Sequence, residues 1–353
     1  MSLLSARRSL WPILGIRASW NRLSDADYCL KWLRFDCFCQ ICTIDCAAAN
    51  PNLILLLTLF IPGALIARAG ALIARGSKEK KLAGWGLDDI DWHLFDASRV
   101  RPEFVALAKA ASLVESNAAD YRDYLCNVFA DDTRVCRSVE VWAEEERRHG
   151  AALARWAHYA DPGFDFDRAF QVFLDGYRIP VEANASVRGS RTGEMIARCM
   201  VETGTNSFYS ALAEASDEPV FRQICQLIAD DEMAHYWLFH NHLKRYVERD
   251  RLTFLQRLKV ALGRIVETED DELAYAYYAA NNMGEPYDRR RHGGTYHRQA
   301  LAFYSPRIVE KAIGMVFATL GLRADTLTGR GAAALASGAL GLRRRFLGSR
   351  LAG

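Results

Sequence analysis

Two short segments decide how this sequence is read, Glu145-Glu146-Arg147-Arg148-His149-Gly150 and Asp231-Glu232-Met233-Ala234-His235. Both contain Glu-x-x-His, and on a helix that spacing puts the carboxylate and the imidazole on one face, a turn apart. The surrounding sequence, from about residue 100 to 250, is rich in Ala, Leu, Glu and Arg, poor in Pro, and places apolar residues at helical rather than strand spacing. Pro102-Glu103 opens a helix that can run through Val114, Tyr121, Tyr124 and Leu125 to Phe129. Asp131-Asp132-Thr133 breaks the chain and caps a second helix, which continues through Val139, Trp142 and Leu153 until Asp161-Pro162-Gly163 stops it. A third starts near Thr192-Gly193-Glu194 and ends near Ala215; Ser216-Asp217-Glu218-Pro219 caps a fourth that reaches about Arg249.

Loop lengths set the topology. The connections near 131 and 217 are a few residues long, so each joins antiparallel neighbours, whereas roughly 30 residues separate the second helix from the third. Hairpin, long crossover, hairpin is the ferritin-like version of an all-α four-helix bundle, here with additional C-terminal helices. Each bundle helix offers a candidate metal ligand: Glu115 on the first, Glu146 and His149 on the second, Glu202 on the third, Glu232 and His235 on the fourth. Counted from the turn near 131, Glu115 lies about 16 residues back and the Glu146/His149 pair about 16 forward, roughly 24 Å along both arms. Counted from the turn near 217, Glu202 and the Glu232/His235 pair are again about equally far, so all six converge at one height. Four carboxylates in a core need bound cations or protons to offset them. A Glu from each of two helices and Glu-x-x-His from the other two is the donor set for two irons, with manganese as the alternative metal. An acid precedes each metal glutamate, Glu145 and Asp231, and the pseudo-twofold relation of the hairpins lets Asp231 reach His149 and Glu145 reach His235.

The segment from Trp142 to Gly150 resembles the Trp-x-x-x-Glu-x-Arg-His-Gly segment of the soluble acyl-[acyl-carrier-protein] desaturases. Ile224-Cys225 through Ala229-Asp230-Asp231-Glu232-Met233-Ala234-His235 is similar to their second ligand helix, and Glu202-Thr203-Gly204-Thr205 to their third. The resemblance is good over 100–250, faint to about 320 and absent from the first 85 residues. It implies an O2-dependent di-iron oxidoreductase that desaturates a fatty acyl chain carried on acyl carrier protein, fed by a ferredoxin-like electron donor and built as a homodimer. It also implies a role for Thr205, one turn past a glutamate taken as bridging, in delivering protons to activated oxygen. Trp92, in Asp91-Trp92-His93, is read either as a surface electron-entry residue or as a core anchor.

The whole chain has 353 residues, 50 % hydrophobic and 25 % charged, the balance of an ordinary globular protein. A net charge of +2 argues against nucleic acid as a partner, and nine cysteines, an odd number, fit a reducing, cytoplasmic setting. We divide the chain into an N-terminal extension (1–85), a ferritin-like di-iron domain (86–320) and a basic tail (321–353) in which Arg323, Arg330, Arg343, Arg344, Arg345 and Arg350 face Asp325 alone. The tail suits an acidic partner or an anionic membrane surface, or is simply solvated. The apolar run Leu53–Ile61 raises membrane contact through 53–74 as an alternative, although Asn50-Pro51-Asn52, Pro62-Gly63 and Arg68 shorten it below a good span. Cys37, Cys39, Cys42 and Cys46 match no standard zinc or iron–sulfur spacing and are read as free thiols. The alternatives for function are another ferritin-like di-iron hydroxylase or oxygenase, an iron-storage or peroxide-scavenging bundle, and a membrane-tethered structural bundle.

Overall fold

Capping residues bound the helices in the way their chemistry directs. The computed structural model describes residues 84–267, 271–326, 329, 331–339 and 341, all within the unit Lys81–Gly353. The apolar run at 53–74, the cysteines at 37–46 and most of the basic tail lie outside the described residues. Ahead of the bundle come three 3-10 turns, Leu87–Asp89, Trp92–Leu94 and Ala97–Arg99, the first against the helix that carries Glu146 and the second against the helix that carries Glu232. Helices α1 (Pro102–Ser116) and α2 (Ala118–Val128) precede α3 (Thr133–Ala160), whose N-cap Asp132 accepts from the amides of Arg134 and Val135. The crossover holds α4 (Phe166–Gly176). Then come α5 (Arg191–Ala215), capped by Ser190, and α6 (Pro219–Asp250), capped by Glu218 with Pro219 in its first turn. Four shorter helices follow: α7 (Phe254–Glu267), α8 (Asp271–Asn281), α9 (Arg289–Leu301) and α10 (Pro306–Thr319). No strand occurs among the described residues, so the fold is all-α, and no described helix is long and apolar enough to cross a membrane.

α3 packs on α1 and α2, α6 packs along α5, and the two hairpins meet through α3 and α6; α8 covers α1, while α7 and α10 cover α5. The buried apolar residues form two clusters. One contains Phe104, Leu107, Trp156, Phe221 and Ile224; the other contains Leu125, Phe129, Val139, Tyr236 and Phe239. In sequence the charged positions Glu115, Glu146, His149, Glu202, Glu232 and His235 fall between the segments that build these clusters, so a polar layer is held between two greasy ones. Glu218 adds a tie between hairpins: beside capping α6 it accepts from the Trp156 indole N–H at 2.8 Å and from the Asp96 amide at 3.1 Å.

The first helix differs from its sequence reading. It does not run unbroken to Phe129: at Asn117 the backbone leaves the helix (φ −83°, ψ 12°), and α2 starts anew at Ala118. Asn competes for backbone hydrogen bonds and favours such turns. Gly150 sits opposite on α3, where a Cβ would lie 2.3 Å from Ser116 Oγ and 2.9 Å from the Ser116 amide nitrogen. Only a glycine lets α3 approach so closely, and the approach is one residue from Glu115 on one side and from His149 on the other.

Candidate metal centre

All six candidate ligands are buried, with Glu115 the most accessible of them at 7 %. They fall into two sets, Glu115, Glu146, His149 and Glu232, and Glu146, Glu202, Glu232 and His235; within each set one donor atom per residue lies within 4.8 Å of all the others. Glu146 and Glu232 belong to both sets and so stand where two cations would share carboxylates. Glu202 belongs to one set only; the glutamates common to both sets are the two within Glu-x-x-His. His149 Nδ1 lies 3.2 Å from Glu146 Oε2 and 3.3 Å from Glu232 Oε1, and His235 Nδ1 lies 3.2 Å from Glu146 Oε1.

Each imidazole turns its other nitrogen outward. His149 Nε2 is 3.0 Å from Asp231 Oδ2, and His235 Nε2 is 2.9 Å from Glu145 Oε2. Asp231 is on α6 and Glu145 on α3, so each hairpin supplies the acid that orients the other hairpin's histidine. In the neutral imidazole, Nε2–H donating to the acid leaves the Nδ1 lone pair facing the cluster. Arg148 lies between the two acids, 3.2 Å from Asp231 Oδ2 and 3.6 Å from Glu145 Oε1.

Protons alone can balance this layer. Burial pushes Glu115 and Glu202 well above the usual carboxylate range, helped by Glu146 beside the first and Glu232 beside the second. Burial acts the same way on Glu146 and Glu232, but the His235 charge holds Glu146 well below that range and the two imidazoles hold Glu232 below it. Burial also opposes charge on the imidazoles, yet Asp231, Glu146 and Glu232 hold His149 well above its ordinary value, and Glu146 and Glu145 do so for His235. Two carboxylates, two imidazolium ions and two neutral acids sum to zero charge.

The donor set fits divalent cations better than protons. Both oxygens of Glu202 are buried with no hydrogen-bond partner, and Glu232 Oε1 and His235 Nδ1 meet their neighbours without a well-directed bond; burying such atoms is costly unless something satisfies them. Carboxylate oxygen and imidazole nitrogen together suit iron, manganese or zinc. The buried Glu and His groups can therefore hold metal.

Thr205, on α5 three residues after Glu202, donates to Glu232 Oε2 at 2.6 Å. Two aromatic residues absent from the sequence reading also touch the cluster. The Tyr209 hydroxyl, fully buried, donates to Glu115 Oε1; its spacing from Glu202 and Thr205 on α5 is the signal that could have found it. Trp85 donates its indole N–H to Asp231 Oδ2 at 2.7 Å and stacks on the His149 ring, centroids 5.9 Å apart and 7° from parallel. Trp92, the tryptophan singled out from sequence, lies instead under the Arg155 guanidinium at 4.3 Å, packs on Tyr159 and donates to the Leu87 carbonyl. It is a packing anchor. No protein-family model matches the chain, and no curated protein is significantly similar to it.

Proposed function

We propose that the chain is a ferritin-like, O2-dependent di-iron oxidoreductase, and that its substrate is a fatty acyl chain on acyl carrier protein, which it desaturates. The observation that carries this reading is the pair of buried four-residue sets that share Glu146 and Glu232, with donor atoms left unpaired. Glu115, Glu146, His149, Glu202, Glu232 and His235 would hold the two metals, iron by preference and manganese as the alternative. When bound, iron would activate O2, the oxidant that breaking an unactivated C–H bond demands, with electrons from the donor completing its reduction to water. The protein's own contribution is positioning and exclusion of water. Two apolar layers seal the polar one, which strengthens every electrostatic interaction inside it. Asp231 and Glu145 hold the imidazoles in register. The Thr205 hydroxyl carries a proton at Oγ1 within reach of the shared Glu232 carboxylate. Trp85 links the strap ahead of α1 to His149 through Asp231 and is the natural entry for electrons from a ferredoxin-like donor. A homodimer in a reducing, cytoplasmic setting completes the proposal.

The deciding experiment is iron per chain after anaerobic reconstitution, in wild type beside Glu202→Ala and His235→Ala, followed by oxygen consumption with and without an acyl carrier substrate. Two irons per chain, lost in both variants, with oxygen uptake that requires the acyl substrate, supports the proposal. No stoichiometric metal refutes the centre. Metal with peroxide turnover and no substrate dependence refutes the desaturase and favours a storage or scavenging bundle; oxygen uptake with a hydroxylated product favours a hydroxylase.

A further inference from the structure

Helix α7 exposes large apolar side chains beside its core-facing side. Its inner side sets Leu258, Val260 and Ala261 against the core cluster that contains Tyr236 and Met315. Its outer side carries Leu255, Lys259 and Leu262, spaced i, i+4 and i+7 and so aligned in one stripe. Leu255 is 73 % exposed, Leu262 52 %, and Phe254 at the helix start 38 %. A surface helix ordinarily turns polar residues outward, so leucines there stand out. Leu322, also exposed, belongs to the same region, because a Cβ on the neighbouring Gly321 would lie 3.3 Å from the Arg257 guanidinium of α7.

The charge around this stripe is mostly positive. Between residues 244 and 264 seven Lys or Arg face only Glu248 and Asp250, and Lys244, Arg251 and Lys259 are exposed. Acids return only from Glu267 onward, at the far end of the helix. Outward leucines within a basic surround are the composition of a helix that lies in the plane of an anionic bilayer, its apolar stripe among the acyl chains and its cations at the phosphates. An acidic protein with an apolar patch is the competing occupant, and the vesicle test separates the two. With 14 residues, roughly 21 Å long, α7 is too short to span a bilayer and must lie flat. We propose that α7 docks the protein on an anionic lipid surface, its basic N-terminal half deepest. This inference is independent of the metal centre.

The test is cosedimentation of the full chain with vesicles of phosphatidylcholine alone and of phosphatidylcholine with about a third phosphatidylserine. The expected result is partition onto the anionic vesicles, weakened by salt. The double variant Leu255→Glu, Leu262→Glu should partition at least tenfold less, since losing burial of one leucine is alone worth roughly a tenfold change. Lys259→Glu should weaken binding to the anionic vesicles only. Unchanged helical circular dichroism shows that a variant is folded; if the double variant is not, Leu255→Gln is read in its place. Unchanged partition of the α7 variants, as would follow if the 53–61 run made the contact, overturns the proposal. Equal binding to neutral vesicles overturns it too, as does failure to bind any vesicle while an acidic carrier protein is captured through the same residues.

Discussion

If the six-residue layer takes up two divalent cations, it must give up protons, and the structure sets how many. With protons alone the layer is neutral through two imidazolium ions and two neutral acids, Glu115 and Glu202. With two divalent ions it is neutral through four carboxylates and two uncharged imidazoles. The difference is about four protons per chain, because ligands bind metal in their deprotonated forms. Each proton released makes the apparent affinity for the metal pair rise about tenfold per pH unit. The count should therefore approach four at mildly acidic pH and fall as pH climbs past the raised values. Stability without metal follows the same groups. All four bind protons more tightly folded than unfolded, so they favour the fold at low pH and lose that effect as pH rises through their folded values. Glu146 and Glu232, held low, act in the opposite sense: they contribute stability above the usual carboxylate range and lose it as pH falls through their lowered folded values. The assay is anaerobic calorimetric titration with Mn(II) in two buffers of different ionisation heat, repeated across pH, beside thermal melting of the metal-free protein. Release of fewer than one proton per chain at mildly acidic pH, or release that grows with pH, would refute the charge assignment.

Asp231→Asn should weaken metal binding by about tenfold or more, since removing a partner that orients a ligand histidine typically costs that much; equal affinity in a metal titration would show that the carboxylate does not orient His149. Thr205→Val should keep full metal content and lose roughly a hundredfold in turnover, with unchanged turnover counting against any role for the hydroxyl in proton transfer. Gly150→Ala should lower unfolding free energy by about 1–3 kcal/mol in urea, because the added methyl meets Ser116 from a backbone that cannot easily yield; a wild-type midpoint would mean that α1 and α3 separate freely.

Most of the bundle was legible because its boundaries are written in capping chemistry. Asp132, Glu218 with Pro219, and Asp161-Pro162-Gly163 mark helix ends locally, and helical rise then carries the six ligands to one level. The break at Asn117 was not legible, since nothing in Val114-Glu115-Ser116-Asn117-Ala118 forbids a continuous helix; the interruption is seen only once α3 is packed alongside. Trp85 was invisible for a different reason. It meets Asp231 across 146 positions of sequence, and no local pattern encodes that contact. Tyr209 lay within reach of periodicity on α5, but a phenol is not a usual metal ligand. The same bias toward acids and histidines hid Arg148, which spans the two orienting carboxylates.

The crossed pairing of Asp231 with His149 and of Glu145 with His235 makes the centre a gauge of assembly. A slip of one turn between α3 and α6, about 5.4 Å, would break both contacts together and turn both imidazoles loose. Neither hairpin can prepare its own histidine, so metal capture has to wait until the two halves are seated in the correct register. A chain that docked its hairpins wrongly would stay empty, and a filled centre would certify that the bundle had closed as it should.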